Sequence, residues 1–275
     1  MTIKETVKKH TNELKFVTHI PAKEIEILMM FLLEKNTIWL HINYNEEFKK
    51  EKELEKLVKK RATNYPIEYL TNKASFYGEI FIVKEGVLIP RPETELLIDN
   101  ALEILKDKKE TVNILEIGTG SGIISVMLAL LIKDVKIIAV DINEKALELA
   151  KQNAIKHNVE DKIEFRLSNL YENVSETNID LTISNPPYIA NDYKLPLNVA
   201  YEPSNALFGG SVGDELLKDI IKHTNERNIE YLLCEMGYDQ KNPLTKYLEQ
   251  FNTKSFTFYQ DYEKFDRGFT IQFNK

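Results

Sequence analysis

The sequence predicts an α/β protein, with a mostly parallel sheet covered by helices and a small helical domain in front of it. Three observations carry this. From residue 112 onward, short apolar runs alternate with amphipathic helical stretches, the pattern of a sheet with helices on both faces. The first apolar run ends in a glycine-rich turn and the fourth in two prolines, so breakers stand where strands must run out. The first sixty residues show only helical periodicity.

In chain order, PAKEIEILMMFLLEK (21–35) has Pro21 where a helix can start and apolar residues at 25, 27, 28, 31 and 32. EEFKKEKELEKLVKKRA (46–62) is a solvated helix with a narrow stripe of Phe48, Leu54, Leu57 and Val58. Trp39 is expected to pack the small helical core. The run ASFYGEIFIVKEGVLIPRPETE (74–95) alternates around Gly78 and Gly86, which predicts a β-hairpin, and Pro90 and Pro92 lead into a helix through 96–106. Strands follow at 112–118 and 136–141, each succeeded by a helix, then at 162–168 and 179–186. A helix over 214–227, a fifth strand over 229–236 and an antiparallel pair at 255–260 and 268–273 complete the chain. The expected domains are 1–60 (helical), 61–90 (linker with hairpin) and 91–275 (α/β). Ligands of such sheets sit beyond the carboxyl ends of the strands, where the strand order reverses.

Composition narrows the function classes. No run reaches the roughly 18–20 apolar residues that span a bilayer, and MTIKETVKKH lacks a signal-peptide core. The one cysteine, Cys234, excludes an internal disulfide, and five scattered histidines show no metal-ligand spacing. The expectation is a metal-free, cytoplasmic protein with no membrane partner. Residues 1–60 hold 12 basic and 10 acidic side chains, while the remaining 215 hold 24 and 33. A net −9 on the larger part repels a polyanion, which argues against direct nucleic acid binding.

The turn after the first strand reads Glu116-Ile117-Gly118-Thr119-Gly120-Ser121-Gly122. Glycines let a backbone turn sharply and approach a ligand with no Cβ in the way. A pyrophosphate would be repelled by Glu116, whereas a ligand with an ammonium or sulfonium would suit it. The second strand ends in Asp141, where a carboxylate can accept both hydroxyl hydrogens of a ribose. Together these favour an adenosine-type cofactor, S-adenosyl-L-methionine over NAD.

The fourth strand ends in Asn185-Pro186-Pro187-Tyr188. Each proline lacks an N–H and fixes its own φ, and the residue before it is driven extended. The result is a stiff strand end with unclaimed carbonyls. The Asn185 side-chain oxygen and the Pro186 carbonyl can each accept one N–H of a planar –NH₂, turning its lone pair toward a methyl donor. Tyr188 offers a ring on which a flat acceptor can stack. The same clamp serves an exocyclic base amine or a glutamine amide, and a catalytically idle cofactor-binding scaffold is the reading of another class. Cys234, in an apolar strand, is read as core.

The glycine turn with Asp141 resembles class I S-adenosylmethionine-dependent methyltransferases, and Asn-Pro-Pro-Tyr is shared by their amino-methylating branches. The segment Phe76-Tyr77-Gly78 with Val87-Leu88-Ile89-Pro90-Arg91-Pro92-Glu93-Thr94-Glu95 resembles the linker of the peptide chain release factor N5-glutamine methyltransferases, the PrmC/HemK family. Tyr201-Glu202-Pro203, Gly209-Gly210 and Glu235, Gly237 and Gln240 are similar too, so the resemblance runs from about residue 61 to the C-terminus. It implies a Rossmann-like seven-stranded methyltransferase sheet preceded by a helical domain that docks the release factor. It implies methylation of the Gly-Gly-Gln glutamine of class I release factors, modulating translation termination; a monomer is expected. Carried over by position, it gives Glu116, Gly118, Thr119, Gly120, Ser121, Gly122, Asp141, Asn169, Leu170 and Asn185 to the cofactor. It gives Asn185, Pro186, Pro187, Tyr188, Arg91 and Glu93 to the substrate, with Asn185, Pro186 and Tyr188 catalytic. Two positions depart from the family: Asn72 stands where a glycine is usual, and Asn169 where an aspartate is usual.

Overall fold

The computed structural model describes residues 1–274. It divides into two compact units, one formed by Met1–Lys73 with Leu195–Tyr201, the other by Ala74–Lys194 with the chain from Glu202 onward.

The first unit holds five helices: α1 (Ile3–Leu14), α2 (Pro21–Leu33), α3 (Thr37–Ile42), α4 (Glu51–Arg61) and α5 (Ile67–Thr71). A capping box opens α1: Thr2 Oγ1 accepts from the Glu5 N–H at 3.2 Å and Glu5 Oε2 accepts from the Thr2 N–H at 2.9 Å. Pro21 occupies the first turn of α2, where a missing N–H costs nothing. Ile3, Val7, Leu14, Ile25, Leu28, Met29, Leu54 and Val58 are buried at helical spacing. Leu40, rather than Trp39, is the core residue of α3; Trp39 is only half-buried, under Lys35, because one turn cannot aim both inward. Arg61 reaches the buried Glu24 through two bonds of 2.6 and 3.0 Å, a fork that satisfies both carboxylate oxygens. The unit extends beyond residue 60, and a remote segment completes it: Tyr201 meets Tyr65 edge-on at 5.2 Å and donates to the Thr63 carbonyl at 3.0 Å. Asn72 takes the left-handed conformation (φ 53°) that ends α5, as a glycine substitute there must.

The second unit opens with β1 (Lys73–Phe76) and β2 (Glu79–Ile82), which pair around Tyr77 and Gly78, both at positive φ. After a 3₁₀ turn (Pro92–Thr94) comes α6 (Glu95–Leu105). Then follow β3 (Val112–Ile117), α7 (Ile123–Leu131), β4 (Val135–Asp141), α8 (Glu144–Lys156), β5 (Ile163–Leu167) and β6 (Leu181–Ser184). The short β7 (Ile189–Ala190) and β8 (Phe208–Gly210) precede α9 (Glu215–Glu226), β9 (Tyr231–Glu235), α10 (Lys241–Leu248), β10 (Thr253–Gln260) and β11 (Asp266–Phe273).

Seven strands form one sheet in the order β10-β11-β9-β6-β3-β4-β5, in which β11 alone runs against the other six and so pairs antiparallel with both β9 and β10. Side chains alternate across it: Ile114 joins the cluster under α6 and α7, while Leu115 and Ile117 join that under α9 and α10. From β3 the chain steps to β4 and β5 on one side, then crosses to β6 on the other. Its switch point therefore lies over the carboxyl ends of β3, β4 and β6. No helix among the described residues is long and apolar enough to cross a membrane. Neither α10 nor the β7–β8 pair was legible in the sequence. The first is only eight residues with a proline inside it, and the second joins segments separated by a long loop.

Candidate active site

A cavity opens at the switch point, walled by the turn after β3, the ends of β4, β5 and β6, and the segment 86–94. Gly118, Thr119, Gly120, Ser121, Asp141, Asn169, Leu170, Asn185, Pro186, Pro187 and Arg91 all line it, so eleven predicted residues converge on one crevice. Four predicted residues do not: Glu116, Gly122, Glu93 and Tyr188.

The glycines divide by function. Gly118 and Gly120 have φ of 72° and 56°, and a Cβ on either would meet nothing within 4 Å. They serve backbone conformation and leave open space above the turn. Gly122 instead packs: a Cβ there would lie 2.8 Å from Ala150 Cβ, so this glycine lets α7 start close against α8. The turn is pinned by Gly118 N–H and Thr119 N–H donating to the Val140 carbonyl at 2.9 and 3.0 Å.

Asp141 Oδ2 accepts from the Gly120 N–H at 2.8 Å and Oδ1 from the Asn143 N–H at 2.9 Å. Each oxygen keeps a second lone pair for a ligand. Burial raises its pKa against these bonds. The helix after it is capped by Asn143, whose side chain accepts from the Lys145 N–H at 3.0 Å, so Asp141 is not the cap.

Glu116 corrects the reading of a carboxylate that meets a cation. It is 1% exposed and lies under the turn, with Oε2 accepting from Thr119 Oγ1 at 2.8 Å, the Ser125 N–H at 3.2 Å and the Ser125 hydroxyl. Its neighbour Ile117 points to the cavity side while Glu116 points inward, as successive strand residues must. Burial, with only partial relief from those bonds, pushes its pKa from 4.5 up to about 7. The folded state therefore holds the proton more tightly than the unfolded chain, and stability from this group is full below 4.5 and lost as pH rises through about 7. Glu116→Gln is expected to gain on the wild type as pH rises from 5 to 8, by up to about 3 kcal/mol. Urea melts of both proteins across that range check it; a difference independent of pH contradicts it.

At the end of β6, Asn185 Nδ2 donates to Thr94 Oγ1 at 3.0 Å. Thr94 donates in turn to Glu235 Oε2 at 2.7 Å, and the Tyr188 hydroxyl donates to Glu235 Oε1 at 2.9 Å. The Tyr188 carbonyl accepts from Gln240 Nε2 at 2.9 Å. Among the described residues no N–H claims the Pro186 carbonyl. Tyr188 is half-buried with its hydroxyl committed, and burial beside Glu235 raises its pKa. Arg91 is held by an ion pair to Glu202, whose other oxygen accepts from the Ile89 N–H at 2.9 Å. Glu93, in the 3₁₀ turn, stays outside the cavity wall. Asn169 donates to Glu172 Oε1 at 3.0 Å, and Leu170 adopts φ 47° with its carbonyl held by Ser168 Oγ.

Sequence reasoning missed Thr94, Glu202 and Ile142. Ile142 is 57% exposed yet lines the cavity, an apolar side chain just after a strand-terminal aspartate, and that position was its only signal. Thr94 and Glu202 stand inside the family-like segments, but nothing local shows what they bond to, since their partners lie 141 and 111 residues away. Cys234 is fully buried in β9 and burial raises its thiol pKa, which makes it core.

Comparison with known proteins agrees with this geometry. Residues 93–202 match the model of the Methyltransferase small domain, and residues 5–71 that of the PrmC N-terminal domain. The release factor glutamine methyltransferase of Aquifex aeolicus is 34% identical over 96% of this chain and 93% of its own. The chain belongs to the release factor glutamine methyltransferase family. A second relative, the Bifunctional methyltransferase of Rickettsia typhi, is 33% identical over 98% of this chain, which spans 57% of that protein. Outside the release factor glutamine methyltransferases the fold recurs in the solved hMettl16 catalytic domain, with a TM-score of 0.59 over 71% of this chain and 76% of that one, at 18% identity.

Proposed function

We propose that this protein transfers a methyl group from S-adenosyl-L-methionine to the side-chain amide nitrogen of the glutamine in the Gly-Gly-Gln motif of class I peptide chain release factors. The observation that carries the reading is the orientation of Asn185. Its –NH₂ is spent on Thr94, so its oxygen is the end left for an acceptor, beside the unclaimed Pro186 carbonyl. Two acceptors side by side match the two N–H groups of a primary amide.

The cavity suits the cofactor. Gly118 and Gly120 leave open space over the turn, Asp141 keeps lone pairs for vicinal hydroxyls, and Ile142, Leu170 and Pro187 offer apolar walls for a flat ring. When bound, S-adenosyl-L-methionine supplies a methyl carbon activated by its sulfonium. The chain's own residues then orient the acceptor. Asn185 Oδ1 and the Pro186 carbonyl hold both amide hydrogens, which fixes the plane of the amide and turns the nitrogen lone pair toward the donor. The same carbonyl dipoles favour the positive charge that develops on nitrogen, and no base is needed before the methyl arrives: the methyl–sulfur bond would break as the carbon–nitrogen bond forms, leaving S-adenosyl-L-homocysteine, and one amide proton would then pass to solvent. Pro186 and Pro187 keep the carbonyl in place because their φ cannot relax.

Residues 1–60 dock the release factor in this reading. Phe16, Ile38 and Ile42 are 91%, 70% and 79% exposed in that unit, apolar side chains that a docked partner would cover. Asp141→Ala removes the bond to Gly120 in the turn, the bond to Asn143 at the start of α8 and the lone pairs left for a ligand, and cofactor affinity is expected to fall about tenfold to a hundredfold by calorimetry. An unchanged affinity removes Asp141 from the cofactor site. The function itself is tested with radiolabelled S-adenosyl-L-methionine and intact release factor, beside one whose Gly-Gly-Gln glutamine is replaced by alanine. Label in the first alone supports the proposal; label in both, or in neither while the cofactor binds, overturns it.

A further inference from the structure

We infer that Thr94 and Glu235 are positioning residues that set which end of the Asn185 amide faces the acceptor, and so make the site select a planar –NH₂. The inference rests on the proposed function for its substrate, but its geometry stands apart from it.

The two ends of an asparagine amide are nearly the same size and opposite in chemistry. Turned the wrong way, Asn185 would present N–H donors to the N–H donors of a primary amide, and the clamp would repel what it is meant to hold. Something must choose, and the choice can be read from the bonding rather than from the placement of one atom. Glu235 is 1% exposed at the end of β9; burial raises its pKa, but the Thr94 and Tyr188 hydroxyls and the Arg267 charge favour the ionised carboxylate, which only accepts. Thr94 is fully buried and has one hydroxyl hydrogen. At 2.7 Å from Glu235 Oε2, that hydrogen is spent on the carboxylate. Toward Asn185, 3.0 Å away, the Thr94 oxygen can then offer only lone pairs. The Asn185 –NH₂ is therefore the end that fits, and its oxygen is left for the acceptor. The polarity runs one way, from the amide to the hydroxyl to the carboxylate.

The same carboxylate also takes the Tyr188 hydroxyl at 2.9 Å, so one buried group from the adjacent strand orients both polar side chains of Asn-Pro-Pro-Tyr. The three contributors lie at positions 94, 185–188 and 235, and the sheet register, with Ser184 opposite Cys234, brings the last two together. A partner able to donate in place of Glu235 would undo the choice. The Thr94 hydrogen would be free to point at Asn185, and the amide could turn over.

The test uses the full chain with intact release factor. It measures steady-state kcat and KM, cofactor affinity by calorimetry, and thermal midpoints, for Thr94→Val, Thr94→Ser and Glu235→Gln. Thr94→Val keeps the shape and removes the hydroxyl; kcat is expected to fall about tenfold to a hundredfold, with cofactor affinity within about threefold. Thr94→Ser keeps the hydroxyl and is expected to hold kcat within about threefold. Glu235→Gln keeps the shape but can donate, and is expected to lose turnover as Thr94→Val does. A Thr94→Ser as poor as Thr94→Val assigns the residue to packing and overturns the inference, as does a loss of cofactor affinity that matches the loss of kcat. A second readout needs no acceptor. In protein labelled with ¹⁵N-asparagine, with the Asn185 signal assigned from Asn185→Ala, the side-chain N–H hydrogens exchange slowly in the wild type and at least about tenfold faster in Thr94→Val. Equal exchange in both overturns the inference. If the wild type labels no release factor while this exchange difference is present, the proposed substrate falls and the positioning role stands.

Discussion

Asn185→Ala is expected to lower the turnover of methyl transfer by about a hundredfold to a thousandfold while cofactor affinity stays within a few-fold. The substitution removes one of the two acceptors that hold the amide hydrogens and leaves the Pro186 carbonyl alone. A single acceptor fixes one N–H but not the plane of the amide, so the lone pair samples orientations that miss the methyl carbon. The cost falls on the reacting geometry rather than on ground-state binding, which is why kcat should carry it. The backbone is expected to hold, since Asn185 is followed by two prolines and the Tyr188 carbonyl is still tied to Gln240. Single-turnover methylation with saturating release factor, beside calorimetry with S-adenosyl-L-methionine, measures both quantities. A parallel collapse of cofactor affinity would assign Asn185 chiefly to the cofactor, and a turnover near that of the wild type would remove it from the reaction.

Gly209→Ala should be nearly as damaging, for a steric reason. Gly209 lies in β8, which pairs with β7 directly after the Asn-Pro-Pro-Tyr segment. A Cβ on Gly209 would run into the Pro187 carbonyl oxygen, 2.9 Å from the Pro187 carbonyl carbon and 2.6 Å from the Gly213 oxygen. These are backbone atoms on both sides, so no rotamer change relieves them. The strain can be released only by moving the strand end that Pro186 and Pro187 make stiff, and Asn185 moves with it. We expect a loss of about 1–3 kcal/mol of stability, and a fall in kcat on the order of a hundredfold because roughly an ångström of misplacement costs that much. Thermal melts and steady-state rates check the two effects separately. A variant that melts early but turns over normally would mean the clamp does not depend on this contact.

The contrast between these two positions shows what kind of information each needs. Asn185 stands in a four-residue pattern whose meaning is local: two prolines stiffen the chain, and an amide precedes them. Gly209 stands in a pair of glycines with nothing beside them in sequence to say what they touch. Its importance comes from Pro187, which the β7–β8 pairing brings to it. Glu116 makes a similar point from the other direction. It was read as facing a ligand, yet it lies under the turn with its carboxylate on Thr119 and Ser125. Residue type and position in a motif do not say which way a side chain is aimed.

From the sequence alone came the strand and helix alternation, the antiparallel pair at the end, the crevice over the strand ends and eleven of the residues that line it. Most of this follows from periodicity, glycine and proline, whose effects act within a few residues of the chain, while Arg91, Asn169 and Leu170 came from the family resemblance. Only the tertiary structure decided that Leu195–Tyr201 belongs with the helical unit and that Glu202 holds Arg91. It also decided that Thr94 and Glu235 orient Asn185. Each of these joins groups far apart in the chain, and a hydrogen bond or an ion pair acts over about 3 Å of space whatever the separation in sequence.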